Sequence, residues 1–400
     1  MRHSKPRNLN WNWKEHDDPN GRRFKALLAL GIGIFGLSFA TGIQGTIYTN
    51  FLVEDIGIEA HQLGVLESIR EIPGLLTAFI LGFLLHVAEP LLAGASLLLV
   101  ALGLGAYYFV RGLPDLIAYS FLWSLGLHCW MPLRSSMILE LSEPSCEGKR
   151  LGQMNSVGFA AATVSMFTVF VASTWLSTSF RTFFLIAAIM ALLASLTTLG
   201  IPGQSKGSQR FRLILRRKYG LYYGLSLLDG CRRQIFTTFA TLVMVKAFGA
   251  PVSHIALLML LNNIIGFMAA PYVGSLVDRI GERFSLILGY GGAIPVFIGY
   301  ALILNLNVLY ILYILDSFLF IFSSIALVTY INDSVPLEDL TPSLAMGQTM
   351  NHVAAVSVPV IGGILWSILG YDKTFFMGAL ITLASALMAL GVPKGRIRKP

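Results

Sequence analysis

Charge is what this sequence has least of. Of its 400 residues, 29 are Lys or Arg and 21 are Asp or Glu, so 12% of the chain is charged, about half the usual share. A soluble chain of this length would need far more charge to cover the surfaces of its domains. The scarcity excludes a soluble enzyme, a nucleic-acid-binding module and a disordered tail protein, despite a net charge of +8. Cysteine is scarce too. Cys129, Cys146 and Cys231 form no CxxC pair, which excludes a disulfide framework and a Cys-rich metal centre. No Walker A sequence is present, so ATP does not power the chain from within, and HExxH and GxSxG are missing as well. The one GxGxxG match, Gly31 to Gly36, lies inside an apolar run with no strand before it and cannot build a dinucleotide fold. No nucleophile–base constellation stands out, so no enzyme, no cofactor and no metal are expected.

Apolar residues are what is there, at 55% of the chain, with a mean hydropathy of +0.70. A membrane-spanning helix needs about 20 mostly apolar residues. Reading between charge clusters and Gly/Pro punctuation predicts spans at 24–50, 61–86, 90–110, 114–141, 151–176 and 181–201. A second set follows at 219–246, 253–277, 284–305, 307–333, 344–370 and 373–393. The expected architecture is therefore all-α, with twelve transmembrane helices. Its parts are a polar tail (1–23), a six-helix half (24–201), a basic central loop (202–218), a second six-helix half (219–393) and a basic tail (394–400). Residues 1–23 have no apolar core, so no cleavable leader is expected.

Lys and Arg set the orientation. They cluster in residues 2–25, 149–150, 206–218, 279–283 and 394–399, whereas the opposite loops hold only Arg111, Arg181, Lys246 and Lys373. The positive-inside rule then puts both termini and the central loop in the cytoplasm of a multi-pass inner-membrane protein. The central loop mixes apolar and basic residues and is expected to lie on the inner leaflet.

The two halves repeat. Gly36-Leu37-Ser38, Gly42 and Ile47-Tyr48-Thr49-Asn50-Phe51 recur 188 residues later as Gly224-Leu225-Ser226, Gly230 and Ile235-Phe236-Thr237-Thr238-Phe239. Arg181-Thr182-Phe183-Phe184 recurs as Lys373-Thr374-Phe375-Phe376. Repeats in the same order with six spans each are parallel repeats about an axis along the membrane normal, with a binding site at their interface. On these features, and on Gly274-Ser275-Leu276-Val277-Asp278-Arg279-Ile280-Gly281-Glu282-Arg283 between spans 8 and 9, the chain resembles the major facilitator superfamily. That resemblance implies a gate at Gly274, Asp278, Arg279, Gly281 and Arg283, whose carboxylate meets cations and a helix start of the other half. Asp278 is expected near Lys149 and Arg150 at the start of span 5. In the first half His86 stands where the Asp would be, so the latch is one-sided.

Ionisable groups at bilayer depth mark function by default. Span 2 holds Glu67, Arg70 and Glu71 on one helical face. Span 7 holds Asp229, Arg232 and Arg233, span 4 holds Arg134 and span 10 holds Asp316. In span 1, Thr41, Gln44 and Tyr48 continue a polar stripe. The repeat maps Thr41 onto Asp229, Gln44 onto Arg232 and Ser124 onto Asp316. In the superfamily, spans 1, 4, 7 and 10 line the cavity, and these residues with His128 are the expected solute contacts. Glu67, Arg70, Glu71, Asp229 and Asp316 are the expected coupling network. The bland alternative is that these charges only pair with one another. His254 and His352 are weaker candidates, and Asn262 and Asn263 are expected to bridge helices.

The function expected from this pattern is secondary transport of a small polar organic solute. Guanidinium forks at membrane depth favour an anionic or zwitterionic one. The expected partners are the solute, protons and the lipid bilayer, with no nucleic acid, and the working unit is a monomer. Two alternatives stay open: drug or metabolite efflux by proton antiport, and a non-transporting receptor or scaffold on the same fold. Val358-Pro359-Val360-Ile361-Gly362-Gly363 in span 11 resembles an element that drug/proton antiporters carry in span 5, where this chain lacks it.

Overall fold

A backbone in hydrocarbon must satisfy its own N–H and C=O groups, and helices do this within one segment. The computed structural model describes residues 19–84, 87–143, 146–176, 178–202 and 216–393. His86, most of the central loop, residues 1–18 and the basic tail lie outside the described residues. Twelve long helices run in succession: α1 (Pro19–Asn50), α2 (Ala60–Phe83), α3 (Glu89–Ala106), α4 (Leu113–Leu141), α5 (Glu147–Trp175) and α6 (Phe180–Leu199). The second set is α7 (Gly220–Leu242), α8 (Val252–Ile280), α9 (Glu282–Leu302), α10 (Leu306–Ser334), α11 (Leu337–Leu369) and α12 (Tyr371–Ala389).

Ten of these helices are long and apolar enough to cross a membrane. The two that fall short are α2 and α7, which carry the two charge triplets. α7 is nevertheless the most enclosed, with most of its residues buried, and on α2 the charged Glu67 is buried as well, because charge is tolerated at that depth only when it faces protein or water. The largest departure from the expected boundaries is α11, which starts seven residues before the apolar run. Its polar first turns are held by Asp339, 2% exposed. Asp339 accepts a hydrogen bond from the Tyr219 hydroxyl at 2.6 Å and pairs with Arg216 at 3.1 Å. Hydropathy cannot report a helix turn secured by polar partners.

The repeat is built into the packing. α1 lies against α5 and α6, and α7 lies against α11 and α12. Gly36 lets α1 approach Met190 and Ala194 of α6, and Gly224 lets α7 approach Met388 of α12. Gly42 and Gly230 do the same against α5 and α11. Both α1 and α7 end in a wide π-helical turn, Phe51–Asp55 and Val243–Ala247. α3, α6, α9 and α12 turn large apolar side chains outward, Leu98, Leu192, Leu288 and Leu383 among them, as lipid-facing helices do.

The two sets of helices meet through α2 with α11 and α5 with α8. Polar contacts between them concentrate at the end remote from residues 19 and 393, called here the distal end. Thr49 and Thr241 share a hydroxyl hydrogen bond of 3.1 Å, Asn50 donates to the Ala250 carbonyl at 2.9 Å, and Lys246 reaches both the Ile58 carbonyl and Glu59 at 2.8 Å. Midway, Asn263 of α8 donates to Thr163 of α5 at 2.8 Å, and within the second set Asn262 donates to Ser317 of α10. At the terminal end, among the described residues, no hydrogen bond or ion pair joins the two sets. The expected latch is therefore not made. Asp278 forms no ion pair with Lys149 or Arg150.

Distal closure depends on two close approaches. A Cβ on Gly64 of α2 would overlap the carbonyl oxygen of Pro359, and one on Gly363 of α11 would lie 2.5 Å from the Ala60 oxygen. Overpacking of this kind costs about 1–3 kcal/mol, roughly a 5–150-fold shift between two conformations. Gly64→Ala should therefore open the distal end. On a background without cysteines, labelling of Thr49→Cys by a membrane-impermeant thiol reagent should accelerate when Gly64→Ala is added. An unchanged rate would mean that α2 and α11 do not limit opening.

Candidate functional site

Two charge clusters lie at the middle of the bundle, one in each set of helices. The first grows from one face of α2, where positions 67, 70 and 71 are neighbours. Arg70 Nη2 lies 2.5 Å from Glu67 Oε2 and 3.4 Å from Glu71 Oε1. Its guanidinium also sits over the rings of Tyr48, at 5.9 Å, and Trp123, at 5.6 Å. The Ser124 hydroxyl of α4 donates to the Arg70 carbonyl. The second oxygen of Glu71 faces two imidazoles: His128 Nε2 at 3.7 Å and His352 Nδ1 of α11 at 3.4 Å. This cluster borders a cavity of about 230 Å³, lined by Thr41, Gln44, Ser124 and His128 with Arg70, Glu71, Trp123 and Leu127. The Gln44 amide nitrogen and the Tyr48 hydroxyl are buried with no hydrogen-bond partner among the described residues.

The second cluster joins α7 to α10. Arg232, 1% exposed, donates from Nη1 to Asp316 Oδ1 at 2.8 Å, and its Nε stands 4.0 Å from Asp229 Oδ1. Two buried carboxylates thus share one guanidinium, and Asp229 Oδ1 has no hydrogen-bond partner among the described residues. Arg233 points elsewhere. It is exposed, forms no ion pair among the described residues, and rests over the Phe320 ring of α10 at 5.7 Å. The exposed residues of α7 are Gly220, Arg233 and Thr237. A helix whose central exposed positions are Arg and Thr, with its apolar residues packed inward, faces water rather than lipid.

The expected solute contacts therefore divide. Thr41, Gln44, Ser124 and His128 come together around one cavity, with Tyr48 buried beside it. Asp229, Arg232 and Asp316 form a separate buried knot, with Arg233 on its wet side. Arg134 lies towards the terminal end, where it donates to Asn155 of α5 at 2.5 Å. Four intramembrane arginines resolve into two that carboxylates hold, Arg70 and Arg232, and two, Arg233 and Arg134, without a carboxylate among the described residues. Trp123 and Phe320, the aromatic platforms under the arginines, carry no mark in the sequence that separates them from other apolar residues. Phe320 does fall four residues after Asp316, on the same helical face, and that spacing could have flagged it.

The Major Facilitator Superfamily model matches residues 30–341 and 223–400. Among solved structures, a variant of the nucleoside transporter NupG superposes with a TM-score of 0.78 at 14% identity, covering 92% of this chain and 99% of its own. The inward-facing, unoccupied structure of a bacterial homologue of the human lysosomal transporter Spinster gives a TM-score of 0.75 at 12% identity, covering 94% and 97%. The peptide transporter POT in complex with sulfate gives 0.76 at 14% identity, covering 93% and 96%. Among the curated proteins, none matches the chain in sequence.

Proposed function

Because the chain belongs to the major facilitator superfamily and is a transporter rather than an enzyme, we propose that it moves a small anionic or zwitterionic organic solute by alternating access, coupled to protons. The observation that carries the solute class is Arg233, an exposed guanidinium at the middle of α7 with no carboxylate on it. A fork of donors in that state matches a carboxylate or phosphate group. Thr41, Gln44 and Ser124, which line the cavity beside Arg70, supply neutral contacts. Proton coupling is supported by Asp229, a buried carboxylate that Arg232 meets only at 4.0 Å because its short contact goes to Asp316. In this reading the terminal end is cytoplasmic, the membrane is the inner membrane, and the conformation described is open inward. The gate of Asp278, Arg279 and Arg283 then forms only when the terminal end closes, and a monomer suffices.

The acid-rich surroundings of Arg70 favour a second reading, efflux of amphipathic cations, in which the carboxylates face the solute. Thermal unfolding of the purified protein against a panel of small anions, zwitterions, lipophilic cations and neutral solutes separates the two. A ligand of the folded state at about 100 times its Kd adds about 2.7 kcal/mol of stability. Stabilisation by anions or zwitterions that Arg233→Ala removes is the expected result. Stabilisation by lipophilic cations alone would replace the proposal with efflux.

A further inference from the structure

We infer that Glu71, His128 and His352 form a binding site for one divalent transition-metal ion of the zinc class, held across the two sets of helices. The donor atoms are Glu71 Oε2, His128 Nε2 and His352 Nδ1, all within 4.8 Å of one another. Tetrahedral zinc with bonds of about 2.0–2.1 Å sets its donors about 3.3 Å apart. The two separations from Glu71 Oε2, 3.4 and 3.7 Å, need only a few tenths of an ångström to reach that spacing. Two histidines and one carboxylate are also a set that holds zinc with one position left for water or a ligand.

Three further features point to a cation there. The first is orientation. His128 Nδ1 lies 2.9 Å from the Ser124 carbonyl oxygen, which can only accept, so Nδ1 carries the proton and Nε2 presents its lone pair to Glu71. A ring N–H held by a backbone carbonyl is the usual support of a metal-binding histidine. The second is division of labour on the carboxylate. Arg70 occupies Glu71 Oε1, which leaves Oε2 to the imidazoles, while Glu67 already neutralises Arg70 at 2.5 Å. With neutral imidazoles the cluster keeps one uncompensated negative charge at membrane depth. The third is room. A Cβ on Gly74, one turn below Glu71 on α2, would lie 2.5 Å from His352 Nδ1 and Cε1 and 2.9 Å from His128 Cδ2. Both imidazoles use the space that this glycine leaves.

The ligands come from α2 and α4 on one side and α11 on the other, so an occupied site ties the two sets of helices together at their middle. Sequence reading expects no metal here because residues 71, 128 and 352 share no motif spacing. Metal binding stands on this geometry alone and does not depend on the solute proposed above.

The test uses Co2+ as the probe, on the full-length protein in detergent with any affinity tag removed. About one equivalent of Co2+ should give the strong visible absorption of a four-coordinate site. His128→Ala, His352→Ala and Glu71→Gln should each abolish that absorption at the same Co2+ concentration. Gly74→Ala, which keeps every donor, should weaken Co2+ binding by about 10–100-fold by displacing both rings. On a background without Cys129, Cys146 and Cys231, His352→Cys should create a thiolate-to-cobalt charge-transfer band that Glu71→Gln removes. Only the weak absorption of six-coordinate Co2+, or a four-coordinate spectrum unchanged in His128→Ala and His352→Ala, would overturn the site. Loss of anion binding in the ligand panel with the cobalt spectrum intact would count against the transport proposal and leave the metal site standing.

Discussion

Asp316→Ala should be the most destabilising single substitution among the charged residues of the bundle. Arg232 is 1% exposed, and its short contact is Asp316 at 2.8 Å. Without it the nearest carboxylate is Asp229, at 4.0 Å from Nε. Removing one partner of a buried pair leaves an uncompensated charge and costs about 3–5 kcal/mol. The midpoint of thermal or denaturant unfolding in detergent should fall accordingly. Replacing both partners, as Arg232→Met with Asp316→Leu, should recover only part of that stability, because apolar residues of similar volume often match a buried ion pair but Asp229 is then left without its guanidinium. Transport should not return with it, because Asp229, to which proton coupling is assigned, loses the guanidinium beside it. A double-mutant cycle on the four proteins gives the interaction energy directly. A loss below about 1 kcal/mol in Asp316→Ala would mean that the pair behaves as a solvated one.

Arg233→Ala should do the opposite, removing transport while leaving stability alone. Its guanidinium is exposed and is held by no carboxylate among the described residues, so deleting it breaks no buried contact, and a change within about 0.5 kcal/mol is expected. If it grips the anionic group of the solute, the lost charge-assisted hydrogen bond is worth about 1.5–3 kcal/mol, roughly 10–100-fold in kcat/KM. Flux of the panel's stabilising solute into proteoliposomes measures this. Arg233→Lys should recover only part of the loss, because an ammonium carries charge without the planar fork. Unchanged flux in Arg233→Ala would remove the anion reading, whatever solute is carried. The pair of predictions separates the neighbouring arginines, one structural and one facing solute, on a single turn of α7.

Much of the fold was legible because the bilayer imposes a coarse rule. A span needs length and apolarity, and both are local properties of the chain. Ten helices follow from that rule alone. The other two, α2 and α7, were read like the rest between charge clusters and Gly/Pro punctuation, although their charge triplets take them below the apolarity of a spanning helix. The 188-residue offset carried physical meaning as well: the glycines that recur, Gly36 with Gly224 and Gly42 with Gly230, are the places where α1 and α7 touch their neighbours. What escaped was the polar start of α11, fastened by Asp339 to Tyr219 and Arg216, because a helix secured by side-chain partners has no hydropathy signature.

The sequence by itself determined that the chain is helical, crosses a membrane repeatedly, repeats once and keeps a small set of charges at bilayer depth. Composition, period and spacing are one-dimensional quantities, and membrane physics converts them directly into elements. Only the tertiary structure decided which charges meet. Glu67 and Arg70 could be paired from their spacing on one helix. Arg232 with Asp316, and Glu71 with His128 and His352, join residues 57 to 281 positions apart in the chain, and no local rule orders such partners. The missing Asp278 ion pair was likewise outside the reach of the sequence. A chain built to rock holds its gate residues in every conformation, and only the arrangement of helices says whether Asp278 has found the start of α5.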